Sequence, residues 1–346
     1  MDNLRRAFLL ITVIVLIGAA VVGFMLALNA FIHKDIDSVV DLLPEGEKYD
    51  PDSSGSPETP APEGDASRHT ALFIALGDKS RSPELVFSVS ADYDALTLDL
   101  IFYPVDTFVS LKNSDGTSDF NSLSGYYLDE GPDKMKDACD GILGIPSENV
   151  IAFPFESLSK LINCFTSRDS GILYNVPCGI TSDGYSAQSF TLKAGLSHFV
   201  GNNSRNLLTF YKNGNGVYDS ETVKFYDGTR TPQNLVAATF FKALIEQKLT
   251  GTPDAYYTAN YLSYFDDFFA SCTGSFERDI VKRFKGSCAS FKPDDIRVYV
   301  IDTVATGASA DNVYSGSIEM VENVDGVISR KKIEGSELSE LTARLY

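Results

Sequence analysis

The chain has 346 residues, with 29 lysines and arginines against 47 aspartates and glutamates, for a net charge of -18. So acidic a chain offers no basic field for a phosphate backbone, which argues against a nucleic-acid partner. An anionic ligand would need a local cationic pocket working against that field.

Residues 7–32 form an apolar run without a charge, broken by Thr12, Asn29 and small glycines. As a helix this run is roughly 39 Å long at ~1.5 Å per residue, against a hydrocarbon core of about 30 Å. It therefore reads as one tilted transmembrane helix. Arg5 and Arg6 precede it, so the positive-inside rule places residues 1–6 in the cytoplasm and exports the rest. A cleaved signal peptide has a shorter apolar core, of ~7–15 residues, and Leu28-Asn29-Ala30 is a poor cleavage site. The expected location is the cell membrane, single-pass, with an extracytoplasmic domain.

Residues 33–68 are rich in Pro, Gly, Ser, Asp and Glu, a composition that buries too little surface to fold. As a flexible linker they would span roughly 30–36 Å. A folded domain is expected over 69–310. Residues 71–76, 85–90 and 96–103 read as strands, the last two joined as a hairpin through Asp92-Tyr93-Asp94. A helix over 133–143 ends at Gly144, a strand follows at 149–153, and a second helix covers 155–165. The clearest helix is 232–249, with Thr231 as N-cap, Pro232 at its first position and Gly251 beyond its end. Residues 257–270 read as an aromatic-rich helix and 296–302 as a late strand. Residues 311–346 read as a polar C-terminal extension with a weak strand near 316–321 and a helix near 336–345. Helices mixed with strands that include a hairpin point to an α/β fold: a three-layer αβα sandwich around a mixed β-sheet.

Five cysteines (Cys139, Cys164, Cys178, Cys272 and Cys288), none in a C-x-x-C pair, and three histidines speak against a zinc centre. Outside the cytoplasm Cys164 with Cys178, or Cys272 with Cys288, could form a disulfide; buried thiols are the alternative. No P-loop, H-E-x-x-H or G-x-S-x-G motif occurs. His198, between Ser197 and Phe199, reads as a packed or surface histidine.

Three segments stand out together. Tyr103-Pro104-Val105-Asp106-Thr107-Phe108 follows the third strand. Leu192-Lys193-Ala194-Gly195 through Gly201 is followed by Asn206-Leu207-Leu208-Thr209-Phe210-Tyr211-Lys212. Asp227-Gly228-Thr229-Arg230-Thr231-Pro232-Gln233-Asn234 leads into the clearest helix. In order and spacing these, with Gly144-Ile145-Pro146 through Phe155, resemble the LytR-CpsA-Psr family of cell-envelope proteins over about residues 71–302. The family pattern of cytoplasmic tail, membrane span, linker and domain is similar too.

The resemblance implies transfer of a glycopolymer phosphate from a polyprenyl-pyrophosphate carrier to peptidoglycan. Arginines would clamp the pyrophosphate and carboxylates would hold Mg2+. Such transfer is mostly positioning and charge stabilisation, and bidentate arginine suits phosphate oxygens. Carried over residue by residue, Asp106 and Arg230 would be catalytic, Arg81, Lys212 and Arg230 would bind substrate, and Asp106 with Asp227 would hold the metal. The match is incomplete. Val105, Gly214 and Gln233 stand where the family has arginines, Lys212 replaces another, and Pro83 replaces an aspartate. Two alternatives therefore stand beside an active transferase: a catalytically degenerate envelope protein that binds lipid or glycopolymer, and an unrelated sensor ectodomain. If only the lost charges limit activity, arginine at 105, 214 and 233 should raise it.

Overall fold

The computed structural model describes residues 68–77, 81–112, 116–166, 171–182, 190–211, 220–250, 255–274, 290–306 and 311–345. The apolar run 7–32, most of the linker, Lys212, Gly214 and Cys288 lie outside the described residues. Among the described residues no helix is long and apolar enough to cross a membrane.

In chain order the elements are β1 (Arg68–Leu76), β2 (Pro83–Asp92), β3 (Thr97–Tyr103), β4 (Thr107–Lys112), β5 (Ser118–Ser122), α1 (Leu123–Glu130), α2 (Pro132–Leu143), β6 (Asn149–Pro154), α3 (Phe155–Thr166), β7 (Ile172–Val176), β8 (Ile180–Ser182), β9 (Phe190–Leu192), β10 (Gly195–Phe199), α4 (Gly201–Thr209), α5 (Ser220–Phe225), α6 (Thr231–Lys248), α7 (Ala255–Ala270), β11 (Ile296–Thr306), β12 (Asp311–Val324), β13 (Val327–Ile333) and α8 (Gly335–Leu345).

The main sheet has nine strands in the order β5-β4-β12-β11-β3-β2-β1-β6, with β13 paired to β12. It is mixed: β2 is antiparallel to β1 and β3, while β3–β11, β1–β6 and β4–β12 are parallel. The β2–β3 hairpin closes where Asp92 Oδ1 accepts the backbone N–H of Asp94 (3.0 Å) and Ala95 (2.8 Å), a turn that suits aspartate. Because strand side chains alternate between faces, Ala71, Ala75, Leu98, Leu100 and Phe102 join one core, and Leu72, Ile74, Leu76, Ile101 and Tyr103 the other. Helices α3, α4, α6 and α7 cover the first face; α1, α2 and α8 cover the second. The αβα sandwich is thus present.

On the first face Phe87 stacks on Phe73 (5.2 Å) and Phe102 (5.1 Å), and Phe241 of α6 closes over it at 5.0 Å. Each such side chain contributes on the order of 1.5–3 kcal/mol when buried. Helix α6 is buried on nearly every side, from Pro232 to Ile245, as expected of a helix enclosed between layers. On the second face α2 opens with Pro132 and ends at Gly144 in the left-handed region (φ 67°), the arrangement the sequence predicts.

Several expectations are corrected. Arg68, counted with the linker, opens β1 and is buried, donating to Ser90, Asp92, Thr97 and Asp99. Thr231 is the first residue of α6 rather than its cap; Arg230 precedes it without a side-chain cap bond. Residues 311–345 are built into the sheet, with β12 antiparallel to β11 and α8 packing Leu341 and Leu345 into the second core. Among the described residues Cys164 and Cys178 are not joined in a disulfide, and Cys288 of the other candidate pair lies outside the described residues. The thiols of Cys139 and Cys272 are buried, and burial pushes both well up from the ordinary cysteine range.

Candidate functional site

Strands β1, β3, β6 and β11 run the same way, and their C-terminal ends share one edge with the first residues of β2, β4 and β12. Ligands of open α/β sheets bind beyond the carboxyl ends of strands, and Asp106, Arg81 and the start of α6 lie at this edge, while the motif around Gly195 is carried by β10, which pairs with β7 outside the main sheet. After β3 the chain turns tightly, with Thr107 N–H donating to Pro104 O at 3.0 Å. That turn presents Asp106 to the N-terminus of α6.

Asp106 Oδ2 accepts the backbone N–H of Arg230 at 3.0 Å and Asn312 Nδ2 at 3.0 Å. The carboxylate thus serves as the distant cap of α6, where an anion is favoured by the unpaired N–H groups and the helix dipole. Its Oδ1 is buried, and among the described residues no donor reaches it. Burial raises the Asp106 pKa above its ordinary value, opposed by the bonds from Arg230 and Asn312.

The Arg230 side chain finds its bonded partners elsewhere than Asp106. Its Nη1 donates to Glu84 Oε2 (3.1 Å) and Gln233 Oε1 (2.9 Å), and its Cζ lies 3.3 Å from the centroid of the Tyr211 ring. Gln233 is fully buried and is fixed by its amide, which donates to Glu84 O (3.1 Å) and Leu208 O (2.7 Å). Stacking on tyrosine and bonding to glutamine hold the guanidinium plane in place. Thr231 Oγ1 pairs with Thr303 Oγ1 at 3.1 Å, tying the start of α6 to β11.

The structure therefore joins Asp106 and Arg230. Asp227 sits three residues ahead of Arg230 in an exposed turn, its Oδ1 accepting from Thr229 N–H (2.9 Å) and Thr229 Oγ1 (2.7 Å). Arg81 lies at the same sheet edge in the β1–β2 turn, exposed, at φ 52°. No bond links Asp227 or Arg81 to Asp106 among the described residues. Lys212 lies outside the described residues. Val105 is 3% exposed and belongs to the second core, so an arginine there would have to enter that core.

Glu84 and Asn312 went unnoticed in the sequence. Glu84 reaches Arg230 across 146 residues and Asn312 reaches Asp106 across 206. The one available signal for Glu84 is its place just after Arg81-Ser82-Pro83; for Asn312 there is none. His198 is exposed on β10.

The fold is similar to that of solved LytR-CpsA-Psr proteins. Among solved structures, TagV of B. subtilis aligns with a TM-score of 0.57 at 15% identity, covering 82% of this chain and 97% of that one. A LytR-Csp2A-Psr enzyme from Actinomyces oris aligns at 0.53 and 16% identity over 80% of this chain and 89% of that one. Protein gbs0355 from Streptococcus agalactiae aligns at 0.54 and 11% identity over 81% and 86%. At these identities the likeness is one of fold. No protein-family model and no curated protein sequence matches the chain.

Proposed function

We propose that this chain is a divergent cell-envelope protein that holds a polyprenyl-linked glycopolymer through its phosphates, with transfer to peptidoglycan lost or much reduced. Its apolar run 7–32 would anchor it as a single-pass protein, with the domain outside the cytoplasm. The observation that carries this reading is the 3.1 Å ion pair of Arg230 with Glu84. The cation that should meet a diphosphate already has a carboxylate partner. Gln233 and Val105 add no charge beside it. Removing one donor that stabilises transition-state charge costs about 2.7–4 kcal/mol, so several losses together suppress transfer far more than binding.

A second reading, a working phosphotransferase, is favoured by Asp106. Its buried Oδ1 without a donor fits a hard cation, and Mg2+ commonly takes one or two carboxylates together with phosphate oxygens and water. Asp106, with Asp227 as second carboxylate, would hold the ion, which would neutralise charge on the phosphate oxygens. Among the described residues no group of three histidines, cysteines or acids surrounds such a site. In both readings Asp106 also fixes the backbone N–H of Arg230, and so sets where the guanidinium begins.

The test uses the full chain in liposomes with a labelled lipid-linked glycopolymer, peptidoglycan and Mg2+. The expected result is saturable binding, lost in Arg230→Gln, with no label entering peptidoglycan. Transfer abolished in Asp106→Ala would establish the second reading, and absence of binding would refute both.

A further inference from the structure

The Arg230 guanidinium has unequal neighbours. Tyr211 lies against its face, and Gln233 is locked by bonds to two main-chain carbonyls. Glu84 differs: among the described residues its carboxylate has Arg230 as its one bonded partner. Glu84 is also the more exposed member of the pair, with side-chain exposures of 22% for Glu84 and 14% for Arg230. It stands at the open end of β2, where an outward rotation breaks one ion pair and no main-chain bond. The cation is therefore rigid while its counter-ion is replaceable.

We propose that Glu84 is a displaceable internal counter-ion that sets which anions the Arg230 site accepts. This deepens the binding reading and rests on it. A singly charged ligand exchanges one carboxylate-like charge for another and gains little. A diphosphate brings several charges and more acceptor oxygens for the unused guanidinium donors, so it displaces Glu84 where a weaker anion does not. The glutamate thus acts as a selectivity filter, keeping the site closed to small anions of single charge.

Isothermal titration of the full chain in detergent micelles tests this, with inorganic pyrophosphate and, separately, acetate as probes, in EDTA so that no metal contributes. Glu84→Gln keeps the shape and removes the charge. It should bind pyrophosphate about ten-fold more tightly, the scale of a close charge pair, and should gain acetate binding that the wild type lacks. Glu84→Asp, which keeps the charge, should restore wild-type discrimination, an outcome a merely structural role would not give. Glu84→Ala serves as the second uncharged variant should the glutamine fold poorly. Arg230→Gln should bind neither probe. If the wild type binds pyrophosphate and the uncharged variants bind it equally or less tightly, the counter-ion role is overturned while the binding reading stands. If no folded form binds pyrophosphate, the counter-ion role falls, and the liposome assay with Mg2+ decides the binding reading separately.

Discussion

The carboxylate of Asp106 and the backbone N–H of Arg230 meet at 3.0 Å although 124 residues separate them. This bond fastens the turn after β3 to the start of α6 and places a buried negative charge where the helix favours one. It also means that the anion position at this helix end is already filled by the protein. An incoming phosphate has to approach Arg230 from its side chain.

Asp106→Asn should remove a pH dependence from the stability of the fold. Burial raises the Asp106 pKa in the folded chain, so the folded state binds the proton more readily than the unfolded one. Wild-type stability from this group therefore rises as pH falls through the folded value toward the unfolded one, and is lowest above it. The asparagine keeps an acceptor for Arg230 without the charge. Melting curves should show the difference between variant and wild type moving in the variant's favour as pH rises from below the ordinary aspartate range to 7; a difference independent of pH would contradict this.

Arginine at 105 or 233 should not restore activity. Val105 is packed in the second core, and Gln233 is fully buried with three hydrogen bonds. Each substitution forces a charge into a site that cannot solvate it and should destabilise by about 3 kcal/mol or more. Urea unfolding measures this directly, and wild-type midpoints would contradict it.

Arg230→Ala should lower stability by about 1–2 kcal/mol, because Glu84 and Gln233 lose a partly buried partner. The same variant should abolish anion binding. Calorimetry and titration on one preparation separate the two effects.

At the opposite end of the sheet, Arg68 lies between Asp92 (3.2 Å) and Asp99 (3.4 Å), and Arg297 Nε lies 2.9 Å from Asp99 Oδ1. Arg68→Ala would leave buried carboxylates short of a cation and should cost about 3–5 kcal/mol. Thermal unfolding of the variant checks this.

Much of the frame was legible because apolar periodicity recorded it. Strands β1 to β3 and helices α2, α3 and α6 fall close to where their patterns put them. Strand β5 carried no such signal, since Ser118, Asp119 and Phe120 are all exposed on an edge strand. Strand β12 was obscured because its polar residues are satisfied across strands: Ser315 and Ser317 donate to Asp302, and Glu319 meets Arg330. At the site, motif resemblance pointed to Asp106 and Arg230. It could not show that Arg230 is already paired, because that depends on a contact closed only by folding.

The central claim is that a diphosphate replaces Glu84 on Arg230. A crystal structure of the protein with geranylgeranyl pyrophosphate tests it most directly. The account predicts phosphate oxygens within hydrogen-bond reach of the Arg230 guanidinium, Glu84 turned outward, and Asp106 still accepting the Arg230 N–H. A diphosphate bound elsewhere, with the Arg230–Glu84 pair intact, would contradict it.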